Sequence, residues 1–244
     1  VSSVDAKAVE IKGLSVGDTF SAPASLTIEA KAVGADNSGS GSALADLRAF
    51  GLTLEDLADE STGDAVLSAL TTGTGANLSS TVNVTAESSS SSVDFTTSAR
   101  TQVDTAGVHA DQAKVEFGGT ASVAASLVLD AGASASAVSD SANAYLGISQ
   151  AAGLDLSGGD SGDVRLDVDN NFIASGVVSA ELLSAAESAA DDATATAEIN
   201  RLLGADVEQL LVGGSSRIDG NTNVTLGINS SSQSGASSSI AEAA

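Results

Sequence analysis

A glycine followed by alternating apolar residues recurs five times along this chain, and that recurrence narrows the available folds more than any other feature. The copies are Gly13-Leu14-Ser15-Val16, Gly51-Leu52-Thr53-Leu54, Gly107-Val108-His109-Ala110, Gly153-Leu154-Asp155-Leu156 and Gly204-Ala205-Asp206-Val207. Repeats of such length, roughly 40 to 55 residues here, belong to solenoids, blades and arrays rather than to a compact enzyme fold. The second and fifth copies agree best. Arg48 lies over Arg201, Gly51 over Gly204, Glu55 over Glu208 and Leu57 over Leu210. Running off the last residue and back in at Val1 keeps the phase of the repeat, as in a chain that continues into another copy.

Between the glycines lie short segments of strict alternation. They include Leu26-Thr27-Ile28, Val82-Asn83-Val84, Leu127-Val128-Leu129, Val164 to Val168 and Val224 to Ile228, with small-residue versions at Ala133 to Ala137 and Ala193 to Ala197. Alternation of period two puts one set of side chains on each face of a strand. Aromatics make up 2% of the residues, so any core is built from Ala, Val, Leu and Ile. Side chains this small bury little area each at about 25 cal/mol per Å², which favours thin layers that lean on their neighbours. The single proline, Pro23, leaves long sheet ladders uninterrupted elsewhere. The fold expected is all-β with short helices, a repetitive β-solenoid or layered β-sheet, with a β-sandwich using strand donation as the alternative.

The expected organisation is a donor strand over residues 1–12 and a single repetitive domain over 13–244. That domain holds about five degenerate units starting near 13, 51, 107, 153 and 204. Val4 to Lys12 alternates apolar and polar, with Val9 breaking the phase. Residues 34–42 and 71–80 read as glycine- and serine-rich loops. Leu44, Leu47, Phe50, Leu54 and Leu57 follow helical spacing, Asp64 to Leu70 adds a further turn, and Ala180 to Ala190 has high helix propensity. The tail from Ser230 is serine-rich.

Nine basic and 32 acidic residues give a net charge of −23. Nucleic acid is excluded as a partner, because phosphate contacts need clustered Lys and Arg. Anionic membrane surfaces would repel the chain, and no apolar stretch approaches the ~18 residues of a membrane span. Neither cysteine nor methionine occurs. No disulfide or thiolate metal site is available, and nothing oxidises easily, as suits a long-lived extracellular material. The missing initiator methionine reads as a processed mature chain or an excised fragment.

Candidate chemistry is sparse. His109 is the only histidine, so no histidine metal cluster is possible. No Gly-x-Ser-x-Gly elbow accompanies it, and its place in an apolar alternation reads as structural or surface. Gly158-Gly159-Asp160-Ser161-Gly162-Asp163 resembles the nonapeptide of calcium-binding parallel β-rolls, with Ser161 at the fourth position and Arg165 in the apolar slot. That resemblance implies calcium as the one candidate cofactor, held by Asp160, Asp163, Asp167 and Asp169, since the ion takes carboxylate and carbonyl oxygens. Paired acids such as Asp59-Glu60 and Asp191-Asp192 lack the aromatic walls of a sugar-cleaving groove and read as solvated faces. Asn77, Asn83, Asn223 and Asn229 head Asn-x-Ser/Thr sequons, a frequency that a serine-rich chain supplies by chance.

In broad composition the chain resembles prokaryotic extracellular filament subunits and repeat adhesins. The function expected is therefore structural, not enzymatic: a secreted or cell-surface subunit whose partners are copies of itself. Val4, Ala6, Ala8, Val9 and Ile11 form the expected polymerisation strand, filling a neighbour's incomplete sheet by strand complementation. The alternative is an adhesin or surface-layer repeat segment of a longer protein, with cell-surface or glycan contacts. A secreted β-helix hydrolase ranks last.

Overall fold

A computed structural model describes residues 1–36, 39–58, 65–157, 164–213, 218–235 and 238–244. Every described element is a strand, and the chain visits three sheets in fixed order, over and over. The first coil runs through β1 (Ser2–Lys12), β2 (Leu14–Val16) and β3 (Thr19–Asp36). The second has β4 (Gly41–Glu55), a small antiparallel pair β5 (Leu57–Ala58) and β6 (Ala65–Leu67), then β7 (Leu70–Thr72) and β8 (Gly75–Ser92). The third has β9 (Thr97–Asp111), β10 (Lys114–Phe117) and β11 (Thr120–Ala137). The fourth has β12 (Ala142–Leu156), β13 (Arg165–Val168) and β14 (Phe172–Ser188). The fifth has β15 (Ala193–Ile199), β16 (Leu202–Val207), β17 (Gln209–Val212) and β18 (Ile218–Ser234), and β19 (Ser239–Ala243) begins a sixth.

Like elements stack. The first sheet is β1-β4-β9-β12-β15-β19 with β16 also on β12, the second β2-β7-β10-β13-β17, and the third β3-β8-β11-β14-β18. Apart from the β5/β6 pair, the strand pairs are parallel. The architecture is consistent with a β-solenoid or layered β fold. Parallel pairing sets aside the sandwich, whose sheets are antiparallel.

Alternation explains the strands. In β11, Ala121, Val123, Leu127, Leu129 and Ala131 point inward while Ser122, Ala124, Ser126 and Val128 face out. The expected short helices are absent from the described residues. Ala180, Leu182, Ser184, Ala186 and Ser188 are buried, and Glu181, Leu183 and Glu187 lie on the outer face of β14. Ladder partners on both sides, from Leu129↔Ala180 through Ala180↔Leu226, override the helix propensity of this Ala- and Leu-rich stretch. The helical spacing from Leu44 to Leu57 likewise gives way to β4 and β5, and the described residues of the expected loops at 34–42 and 71–80 are largely strand. Asp64 lies outside the described residues. No described helix is long and apolar enough to cross a membrane.

The glycines mark a waist. Gly51, Gly107, Gly153 and Gly204 fall in one row across the first sheet, flanked by the registers Phe50↔Ala106↔Ala152↔Leu203 and Leu52↔Val108↔Leu154↔Ala205. A Cβ on Gly51 would lie 2.6 Å from the Gly107 carbonyl oxygen, and one on Gly107 2.7 Å from that of Gly153. The same row faces Ser80, Ala125, Gly176 and Thr222, themselves in register on the third sheet. Glycine is present here because the two sheets come too close for a side chain. The waist divides the interior into a cluster around Leu47, Val103, Leu127 and Leu146 and another around Leu52, Val108, Phe117 and Phe172. Inward residues sit two apart on either side of the waist but three apart across it, from Ala49 to Leu52 and from Ala151 to Leu154. One further three-residue step falls at the Ile148/Gln150 register shift of β12, and the last coil repeats it from Ile199 to Leu202.

Gly13 stands outside this row. It has φ +63 at the corner between β1 and β2, and the Leu14–Val16 copy pairs with Leu70–Thr72 in the second sheet. The residue beside Gly51 is Ala8, between Lys7↔Phe50 and Val9↔Leu52. The phase break at Val9 is the same three-residue step that the glycines make.

The corner between first and second sheets varies in length. Gly13 alone turns the first coil, and Gln112 (φ 45) with Ala113 turns the third. In the second coil the chain leaves at Glu55 and rejoins at Leu70, and in the fourth it leaves at Leu156 and rejoins at Arg165.

Candidate assembly interface

The five residues expected to carry docking sit in the first coil, on the chain's own body. β1 pairs with β4 from Ser2↔Ala45 to Lys12↔Glu55, so residues 2–12 form the first rung of the first sheet rather than a detached arm. Val4, Ala8 and Val9 pack against the two cores, and Ile11 is buried. Ala6 lies opposite Ala49. What the sequence marks as an apolar docking stripe is the inner face of a rung. The strand's second edge has no ladder partner among the described residues. Its outer face carries Lys7–Glu10 at 2.7 Å and Lys12–Glu55 at 2.9 Å. The hydrogen bond from Lys7 lowers the pKa of Glu10, and the bond to Glu55 raises that of Lys12.

At the opposite end the last coil presents another edge. β19 covers β15 over Ser239↔Ala193 to Ala243↔Ala197, and Ala244 accepts from the Ile199 amide at 3.0 Å. Beyond that point β16, β17 and β18 have described ladder partners on one side only. The core is open there. Val224 and Leu226 are 42% and 46% exposed, whereas Val82, Val84, Leu127, Leu129 and Val178 in the coils below are at 2% or less. Covering the remaining apolar surface of Val224 and Leu226 would gain roughly 1 kcal/mol for each.

The outer face of the first sheet carries a polar cluster that the sequence reading did not assemble. The third residue of the second to fifth copies forms one column, Thr53↔His109↔Asp155↔Asp206. Asp155 is fully buried and accepts from His109 Nδ1 at 2.9 Å, Gln150 Nε2 at 2.6 Å and Ser157 Oγ at 2.7 Å. Burial pushes its carboxyl up, but these three bonds outweigh that and hold it at about 2. Arg201 donates to Ser157 Oγ at 3.1 Å and bonds Asp206. The imidazole stacks on Phe50 with centroids 4.5 Å apart. A recess of about 210 Å³ adjoins it, lined in part by Lys7, Arg48, Thr53 and Glu55. Ser, His and Asp meet here in the wrong order for a nucleophilic relay, since the carboxylate stands between the hydroxyl and the imidazole. The signal available in the sequence was positional: His109, Asp155 and Asp206 all follow their glycines by two.

Of the calcium candidates, Asp160 and Asp163 lie outside the described residues. Asp167 is on β13, where it accepts from Arg165 Nε at 3.1 Å, and Asp169 follows that strand at the next corner. No group of three or more His, Cys, Asp or Glu that could hold a metal occurs among the described residues. The sequon asparagines fall on the third sheet, Asn77 and Asn83 on β8, Asn223 and Asn229 on β18.

Compared with known proteins, the chain matches no family model, no curated protein and no solved structure.

Proposed function

We propose that this chain is a β-solenoid that serves as a structural subunit of a secreted extracellular or cell-surface filament, joined head to tail through the open edges of its first and last coils. The observation that carries the reading is the uncovered core around Val224 and Leu226. Stacked coils need capping at their ends, and no capping element is described at either one. A first coil set on a last coil would supply main-chain partners and apolar cover together. The contact is heterologous and does not close, so it propagates into an open fibre. In this form strand complementation adds a whole edge to an edge, with β1 remaining on its own body.

The absence of cysteine and methionine and the surplus of acidic residues suit durable material outside the cell. The reading assigns no catalysis and needs no cation. A second reading rests on the same edges: in a longer polypeptide, further coils of an adhesin or surface-layer protein would cover them covalently. Electron microscopy of purified protein, with the intact mass of the mature polypeptide, separates the two. Fibres from a chain of about 24 kDa support the subunit, and a much larger mass supports the repeat segment. Leu226→Asp should abolish fibres while leaving the β circular dichroism spectrum in place. Dispersed wild-type particles at every concentration would remove the subunit reading.

A further inference from the structure

We infer that copies join in one register, with Val4–Lys12 of one copy laid on Ile199–Glu208 of the next, and that Asp5 facing Arg201 and Lys12 facing Glu208 set it. The inference rests on the head-to-tail reading above.

The register comes from following columns through the first sheet. Val4↔Leu47↔Val103↔Ile148↔Ile199 is one column, and Ile11↔Leu54 is continued by Leu156↔Val207 on the later coils. Adding one rung in phase sets Val4 on Ile199, Ala6 on Leu202, Val9 on Ala205 and Ile11 on Val207. Apolar residues meet apolar residues throughout. The stretch is also the one whose outer edge has no ladder partner among the described residues, β19 covering β15 alone. Val1 to Ser3 of the incoming copy fall in the columns already filled by Glu242 to Ala244 and lift off the sheet.

Charge decides the alignment on the outer face. The column Asp5↔Arg48↔Asp104↔Gln150 continues to Arg201, which precedes Leu202, the partner of Ala151. Within the chain this column already pairs Arg48 Nε with Asp104 at 3.2 Å. The next rung brings exposed Asp5 over Arg201, whose guanidinium has five donors to share among Asp206, Ser157 and a new carboxylate. At the far end of the strand, Lys12 bridges its own Glu55 and the neighbour's Glu208. Glu10 falls beside Asp206, but each already holds a cation of its own, Lys7 and Arg201. A two-residue slip would place Asp5 over Leu203 and break both pairings.

The test is a charge swap in the full chain, read by sedimentation and electron microscopy. Asp5→Arg and Arg201→Asp alone should each raise the concentration needed for fibres by roughly tenfold or more, since like charges then face each other. The double variant should restore assembly, and so should an equimolar mixture of the single variants, as alternating copolymers. Lys12→Glu with Glu208→Lys repeats the experiment away from the Asp155 cluster, should Arg201→Asp disturb folding. Fibres that form from wild type and from every single variant alike would overturn the register yet leave head-to-tail assembly standing. Wild type that never forms fibres removes the assembly reading itself, and the register with it.

Discussion

His109 donates from Nδ1 to Asp155 Oδ2 at 2.9 Å across two adjacent rungs of the first sheet, so the histidine joins Gln150 and Ser157 in satisfying a fully buried carboxylate. An ionised carboxylate only accepts, which fixes the proton on Nδ1. Because Asp155 sits at about 2 in the folded chain, against an ordinary 3.8, it binds its proton less readily folded than unfolded. Its contribution is fully present above about pH 4 and is lost as pH falls through about 2, amounting to something on the order of 2 kcal/mol. Urea unfolding at a series of pH values should show that loss. The Asp155→Asn variant should be less stable at neutral pH and flatter across the acid range. An identical acid slope in the variant would remove Asp155 from the account.

Replacing His109 by alanine leaves the same carboxylate short of one donor and strips a stacked ring from Phe50. A loss of about 1–3 kcal/mol is expected, measured as the shift in urea midpoint at neutral pH.

Gly107→Ala should be among the most damaging single-methyl changes in the chain. The added carbon would meet the Gly153 carbonyl at 2.7 Å and Ala125 Cβ at 2.6 Å, with sheet backbone on both sides. About 2–3 kcal/mol of destabilisation is expected. Gly220→Ala is the matched control, since a Cβ there meets nothing within 4 Å, and its midpoint should stay the same or rise slightly.

Ser80 faces the waist with a hydroxyl that is buried and without a hydrogen-bond partner among the described residues. Its row neighbours Ala24 and Ala125 show that alanine fits the column. Ser80→Ala should therefore raise the melting temperature, by an amount corresponding to about 1 kcal/mol. A lower melting temperature would reveal a partner for the hydroxyl.

Self-repulsion at a net charge of −23 should make the chain sensitive to ionic strength. Going from about 0.01 M to about 0.15 M salt shortens the screening length severalfold, and the melting temperature should climb with it. Fibre formation should become easier over the same range, as light scattering would show.

Much of the coil was legible because burial follows period two, and period two is visible in residues such as Leu127-Val128-Leu129. Four of the five glycines could be read as a row because close approach of two sheets permits nothing larger. Gly13 misled, since a glycine at a left-handed corner looks the same in sequence as one at a waist, and Ala8 fills the column instead. The Ala180–Ala190 segment misled for a different reason. Its intrinsic preference is helical, and only ladder partners far away in sequence make it a strand. The His109–Asp155 contact went unassembled because their shared place in the repeat was read for its apolar neighbours, not for the polar residue between them.

The uneven corner between the first and second sheets has a practical corollary. In rungs two and four more residues separate the flanking strands at that corner and the ladder resumes in step, while the rungs on either side turn the same corner tightly. Foreign peptides spliced at both exits would stand two strand spacings apart, about 10 Å, on one side of the rod. If copies stack as inferred, a fibre would carry them as a ruled line, a display scaffold whose pitch is set by the backbone alone.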